Sequence, residues 1–397
     1  MKTFFGGKRM IENRKISTLT FLGVIVSLAM SFVDTIWSLY IDSFVHSAFL
    51  VGLVSSLTTA IYFVSYFFVI PLVERKEKIK LYTFSLLIFA LTYFLFSIFS
   101  SFALLILLCF VLSFFGSLMI TSFGILVKDF SKNRNLAKNE GILYSLRNVA
   151  WVVGPLIAGF LLSSYGFKLV FFISALIFAL GFLVVRSSRL RNKDIKKKVD
   201  KNLIRNFFDF FKNKNRVFAY LLSGGVSVWW SLIYVFIPVY IVERGLADLV
   251  VGYFLFAVAL PLVFTEFYFS KLASKKGFRK LFKRGYLIVV FASLICFFVS
   301  NIYLMLLVLV LGSFGMGMLE STTEAYFFDI LNEKQHLRFY GPFNTADSSL
   351  SLIARLSASA ILFLFPFKYV FLLFGLFMLF YFILSFFIKE RIESRMK

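Results

Sequence analysis

The sequence predicts an all-α integral membrane protein, with twelve transmembrane helices in two six-helix bundles and both termini cytoplasmic. Three observations carry this expectation. The composition is apolar with recurrent runs near twenty residues, the second half overlays the first at an offset of two hundred positions, and the basic residues fall almost entirely on alternate connections.

Of 397 residues, 60% are hydrophobic and only 16% charged, too few polar side chains to cover a water-soluble globule of this size. No water in a bilayer core can satisfy backbone groups, so apolar runs of this length must be helical. The expected spans cover roughly residues 17–42, 48–73, 79–99, 101–128, 141–164, 167–187, 216–241, 248–272, 281–300, 302–330, 341–364 and 367–388. The first contains Asp34 and lacks a small-residue cleavage site, so it is kept as helix one and not as a secretion leader.

The offset is visible at residues that chance does not easily match in an apolar chain. Val51-Gly52 falls on Val251-Gly252, Arg75-Lys76 on Lys275-Lys276, Asp129 on Asp329 and Gly141 on Gly341. Phe167-Lys168 likewise falls on Phe367-Lys368. Such self-similarity is the mark of a duplicated unit. The expected division is an N-terminal bundle (1–187), a basic cytoplasmic linker (188–215) and a C-terminal bundle (216–397).

The formal charge of +23 has a lopsided distribution. All but Lys168, Arg244, Lys368 and Arg355 of the 43 Lys and Arg residues lie on the N-terminal arm, the even-numbered connections or the helix ends beside them. Positive residues are retained on the cytoplasmic side, so this distribution predicts the orientation, a cell-membrane location and a lipid partner, and argues against nucleic acid. Within the linker, Leu203, Ile204, Phe207, Phe208 and Phe211 recur at helical spacing beside Lys201, Arg205, Lys212 and Lys214, predicting a short interfacial helix. Cys109 and Cys296 sit inside helices four and nine, and His46 and His336 in separate loops, so neither a disulfide framework nor a metal site is expected. No nucleophile–base set, phosphate loop or cofactor motif is present, which argues against an enzyme and against a nucleotide-driven pump.

A charged side chain near the bilayer centre costs at least about 2.5–3.5 kcal/mol, so each one needs a partner or a task. The candidates are Asp34, Arg147, Glu266, Glu320, Glu324, Asp347 and Arg355. Glu320 and Glu324 stand one turn apart in helix ten; both ionised they repel, so the pair holds a proton or faces a cation. Arg355, in helix eleven at the place of Pro155 in the repeat, is expected to pair with one of them. Asp34, followed by Trp37 and Tyr40, presents a carboxylate beside aromatic rings, a combination suited to a cation. Trp229 and Trp230 in helix seven are weaker candidates of the same kind. Each of these features also has a purely structural reading, as a static ion pair or an interfacial aromatic belt.

Local motifs then resemble a known family. The loop after helix two runs Ile70-Pro-Leu-Val-Glu74-Arg75-Lys76-Glu77-Lys78, and the loop after helix eight Ser270-Lys-Leu-Ala-Ser274-Lys275-Lys276-Gly277-Phe278-Arg279. Both are similar to the Gly-x-x-x-Asp-Arg-x-Gly-Arg-Lys loop of the major facilitator superfamily, the first without its glycines and the second without its acid. Helix five contains Gly154-Pro155-Leu-Ile-Ala158-Gly159, similar to a motif of that superfamily's antiporters. Its drug exporters also carry an Arg four residues before a glycine in helix four, where this chain has Leu112 before Gly116.

The resemblance implies a monomeric secondary transporter of the drug:proton antiporter branch, exporting a hydrophobic or cationic small molecule by alternating access with protons as coupling ion. Proton- or sodium-coupled uptake of a nutrient or lipid-like solute, and a non-transporting receptor or scaffold, stand as alternatives. In the family, helix two packs on eleven and helix five on eight. This implies two cytoplasmic gate pairs, Arg147 with Glu266, and the Glu74/Arg75 end of helix two with Asp347.

Overall fold

The computed structural model describes residues 2–130, 136–188, 190 and 203–389, and no strand occurs among them. The first half comprises α1 (Lys2–Val45), α2 (Ala48–Arg75), α3 (Lys78–Ile98), α4 (Phe102–Phe130), α5 (Leu136–Tyr165) and α6 (Phe167–Ser187). After the short α7 (Leu203–Phe211) come α8 (Lys214–Ser231), α9 (Ile237–Glu243), α10 (Asp248–Lys276), α11 (Phe278–Phe298), α12 (Ile302–Asp329), α13 (Glu333–Leu364) and α14 (Lys368–Leu384).

The repeat seen in the sequence is a repeat of structure. Ala48 and Asp248 open α2 and α10, Lys78 and Phe278 open α3 and α11, and Phe102 and Ile302 open α4 and α12. The packing repeats too: α3 lies against α4 and α6, as α11 lies against α12 and α14. Among the described residues, 11 helices are long and apolar enough to cross a membrane. The last expected span, 367–388, is α14 of 17 residues, at the lower end of the roughly 17–25 that a bilayer needs.

Several helices outrun the spans expected from hydropathy. α13 starts at Glu333, where the Gln335 side chain accepts from the Asn332 N–H at 3.4 Å, and runs 32 residues without a break. Apolar runs locate the hydrocarbon-spanning part of a helix, but the backbone ladder continues through polar residues that cap and favour it. The seventh span departs in another way. Between α8 and α9, residues Leu232–Phe236 form a π-helical turn. Pro238 stands two residues beyond it; it lacks an N–H and its ring crowds the carbonyl four residues back, so a wider turn relieves the clash.

The compact units are Met1–Ile36 with Val64–Asp200, and Trp37–Phe63 with Lys201–Lys397. In the first, Ser31 Oγ donates to the Ala150 carbonyl at 3.1 Å, and a Cβ on Gly154 would overlap the Ser31 hydroxyl. The small residue of the helix-five motif thus sets the approach of α5 to α1. Gly154→Ala should destabilise the protein by about 1–3 kcal/mol, read as a lower thermal midpoint in detergent. A Ser31→Gly partner change should restore most of it.

Residues 189 and 191–202 of the predicted linker lie outside the described residues, as do the side chains of Leu203 and Ile204. Its last part is α7, which is fastened to the second unit. Phe210, absent from the apolar positions read from the sequence, is fully buried, while Phe208 and Phe211 are exposed. Asn206 Oδ1 accepts from Arg338 Nε on α13 at 2.7 Å, and Asp209 pairs with Arg338 as well. The hydrogen bond from Lys212, with the nearby Arg338 and Arg205 charges, holds the Asp209 carboxyl below the usual carboxylate range. A lowered folded-state value means the contribution is present above the unfolded value of about 3.9 and lost as pH falls through the folded one. Amide protection of α7, corrected for intrinsic exchange, should therefore hold at pH 5 and above and decline below about pH 4.

Candidate functional site

The polar interior of the second unit is organised by Arg355 on α13. Its Nη1 donates to Thr59 Oγ1 at 2.6 Å and to the Ser55 carbonyl at 3.2 Å, both on α2. Nε donates to Ser231 Oγ at 3.3 Å, on the last residue of α8 before the π turn. One planar, permanently charged fork thus joins three helices, a task for which arginine is better built than lysine. The helices come close because Gly52 has no side chain: a Cβ there would overlap Ser359 Oγ and stand 2.9 Å from the Phe236 ring. Ser359 Oγ in turn donates to the Arg355 carbonyl at 2.8 Å.

The carboxylates of α12 have other partners. Trp230 Nε1 donates to Glu320 Oε2 at 3.2 Å, and Glu320 feels the charges of Glu266 and Asp347. Ser321 Oγ donates to the Glu266 carbonyl at 3.3 Å, fixing α10 against α12 at this level. Glu324 accepts instead from Tyr340 Oη at 2.9 Å, and that ring stacks on Phe328 at 5.7 Å. Glu320 and Glu324, one turn apart on α12, thus accept from donors on two different helices, since residues at that spacing are several ångströms apart along the axis. Among its bonds, Arg355 reaches the hydroxyls of Thr59 and Ser231 and the Ser55 carbonyl, partners to which the sequence did not point.

In the first unit Asp34 is half-buried, and its charge reaches Tyr93. Tyr93 belongs to an aromatic stack with Phe171 at 6.1 Å and Phe178 at 5.5 Å. Further along α1, in the part that belongs to the second unit, the rings of Trp37 and Tyr40 lie 6.4 Å apart, and Tyr40 meets Phe44 edge-on at 5.1 Å. Arg147 Nε donates to Ser27 Oγ at 2.8 Å. Pro155 and Gly159 are buried on α5, Arg75 and Asp347 are exposed, and the Glu74 side chain lies outside the described residues.

Thr59, Ser55, Ser231 and Tyr340 were not singled out by sequence, and Trp230 received little weight. One signal was available for the serines. Ser27 and Ser31 recur at the offset as Ser227 and Ser231. In each half this pair faces the fifth helix of the repeat: Arg147 bonds Ser27 and Ser31 bonds Ala150, while Arg355 bonds Ser231 and Ser351 Oγ donates to the Ser227 carbonyl at 3.4 Å.

Known proteins share this architecture. A bacterial homologue of the human lysosomal transporter Spinster, inward-facing and unoccupied, superposes with a TM-score of 0.73 at 14% identity, covering 94% of this chain and 97% of that one. A POT family transporter in complex with a thioalcohol-conjugated peptide gives 0.78 at 12% identity, with 94% and 95% covered. A POT family transporter in complex with 5-aminolevulinic acid gives the same values. At such identities the likeness is one of fold. No curated protein matches the chain by sequence. The model of the Major Facilitator Superfamily matches residues 19–294 and 230–397, nearly the whole chain. The chain, a duplicated multi-pass membrane protein with polar side chains buried among its helices, belongs to the Major Facilitator Superfamily of transporters.

Proposed function

We propose that the protein is a proton-coupled exporter of a hydrophobic or cationic small molecule, working by alternating access across twelve spans with both termini cytoplasmic. The observation that carries this reading is Glu320, held by the Trp230 indole within the field of Glu266 and Asp347. A carboxylate in the field of two others calls for a counter-charge, and either protons or a bound cation can supply it. Alternation between the two at one carboxylate is the chemistry of exchange. Trp230 and Tyr234, with ring centroids 5.6 Å apart, add π faces for a flat or quaternary cation. Asp34 serves as a second carboxylate, beside Trp37 and Tyr40 on α1. In this cycle Arg147 with Glu266, and Arg75 with Asp347, act as ion pairs that break when the cytoplasmic side opens.

A second reading is ion-coupled uptake, driven by protons or sodium. Arg355 favours it, since a guanidinium beside hydroxyls suits a solute with an anionic group. The test is proton release when a panel of lipophilic cations binds the purified wild-type protein. Release on binding supports exchange. Binding without release removes direct competition and favours uptake, as would sodium- or proton-driven accumulation of an anionic solute in proteoliposomes.

A further inference from the structure

The nine residues of α7 rise only about 13 Å, too little to cross a bilayer, and stand just before Lys214, where a candidate span begins. One side of the helix is tied down. Phe210 sits among Tyr220, Phe339 and Phe327, with centroids at 5.9, 6.0 and 6.4 Å. Arg216 Nε donates to the Phe210 carbonyl at 3.0 Å, closing the end of the helix, and Asn206 and Asp209 hold Arg338. The opposite side carries Phe208, 68% exposed, with Phe211. Beside them Arg205 and Lys212 have side chains 73% and 74% exposed.

Residues 205, 208 and 212 share one helical face, and 206 and 210 the other. An immobilised helix that turns aromatic rings and cationic heads outward together has the chemistry of the boundary between headgroups and acyl chains. We propose that this face of α7 binds anionic phospholipid, phosphate at Arg205 and Lys212 and acyl chain at Phe208 and Phe211, and that bound lipid tightens the hold of α7 on α13. The coupling runs through Asp209. Its carboxylate is shared by Lys212 at 3.0 Å, Arg205 at 3.8 Å and Arg338. A phosphate that draws off the first two leaves the negative charge to Arg338. α13 carries both Asp347 and Arg355, so the lipid acts on the helix that bears the polar site.

The test uses the full-length protein in neutral detergent, titrated with phosphatidylglycerol or phosphatidylcholine while the thermal midpoint is followed. Phosphatidylglycerol should raise the midpoint and phosphatidylcholine should not. Arg205→Gln with Lys212→Gln should weaken half-saturation by about thirtyfold, two basic contributions of the size found at anionic surfaces. Phe208→Ser should weaken it independently of charge. Asp209→Asn should still carry phosphatidylglycerol adducts in native mass spectrometry yet lose the rise in midpoint. Equal responses to the two lipids, an unchanged response in the double variant, or the same rise with soluble glycerol phosphate would each overturn the proposal, the last by assigning the site to free phosphate.

Discussion

Arg355→Gln is expected to loosen the first half of α2 from α13 and α8. The change removes charge-assisted hydrogen bonds to Thr59, Ser55 and Ser231, each of a kind worth about 1.5–3 kcal/mol. Glutamine cannot span the same three helices, so the donors and acceptors it abandons must find water. Ser55, 1% exposed in the wild type, reports the outcome. In a background with Cys109 and Cys296, both free thiols, replaced so that neither can react, a cysteine substituted for Ser55 should react with a soluble maleimide at least about tenfold faster when Arg355 is Gln, the equivalent of losing one such bond. Thr59→Val should give a smaller change in the same direction, since the Ser55 carbonyl and Ser231 remain to the guanidinium. Equal labelling rates in the two arginine backgrounds would show that Arg355 is not what holds this seam.

The second large effect separates the two glutamates of α12. Glu320→Gln preserves an oxygen for the Trp230 indole and removes the charge that shares its surroundings with Glu266 and Asp347. Proton release on binding a lipophilic cation should be abolished, and cation affinity should fall about tenfold or more, as expected for loss of one desolvated charge pair. Glu324→Gln should keep most of the release, because Glu324 is engaged by Tyr340 and not by the acids around Glu320. A release lost equally in both variants would restore the coupled pair that their spacing suggests. A release unchanged in both would move the exchange to Asp34, where Asp34→Asn is the matching substitution.

The contrast between these glutamates shows where sequence reasoning reached its end. The helices, their order and their duplication were legible, because apolar run length and charged punctuation are properties of the chain itself. Partner choice was not. Glu320 and Glu324 were rightly seen as costly in a membrane, yet nothing in their own segment points to Trp230 or Tyr340, which arrive from α8 and α13. Arg355 was assigned a carboxylate on grounds of charge alone, and its own segment did not show that close packing through Gly52 also brings hydroxyls and a carbonyl within its reach. Phe210 was overlooked for a related reason: in a run of four phenylalanines among five residues, only the docked neighbour tells which ring is the anchor. The π turn before Pro238 had a visible cause, but the segment's apolar run masked it.

The duplicated serine seam has one asymmetry with an electrical meaning. Arg147 meets its serine at one place in the repeat, while the second half has Asp347 there and carries its arginine eight residues later, at Arg355. That is about 12 Å along a helix axis, a substantial fraction of the roughly 30 Å over which the transmembrane potential drops. A unit charge crossing that whole drop exchanges about 2.3 kcal/mol per 100 mV. Within its own unit each guanidinium is a fixed charge in that field, so membrane voltage acts on each serine seam through the arginine that holds it.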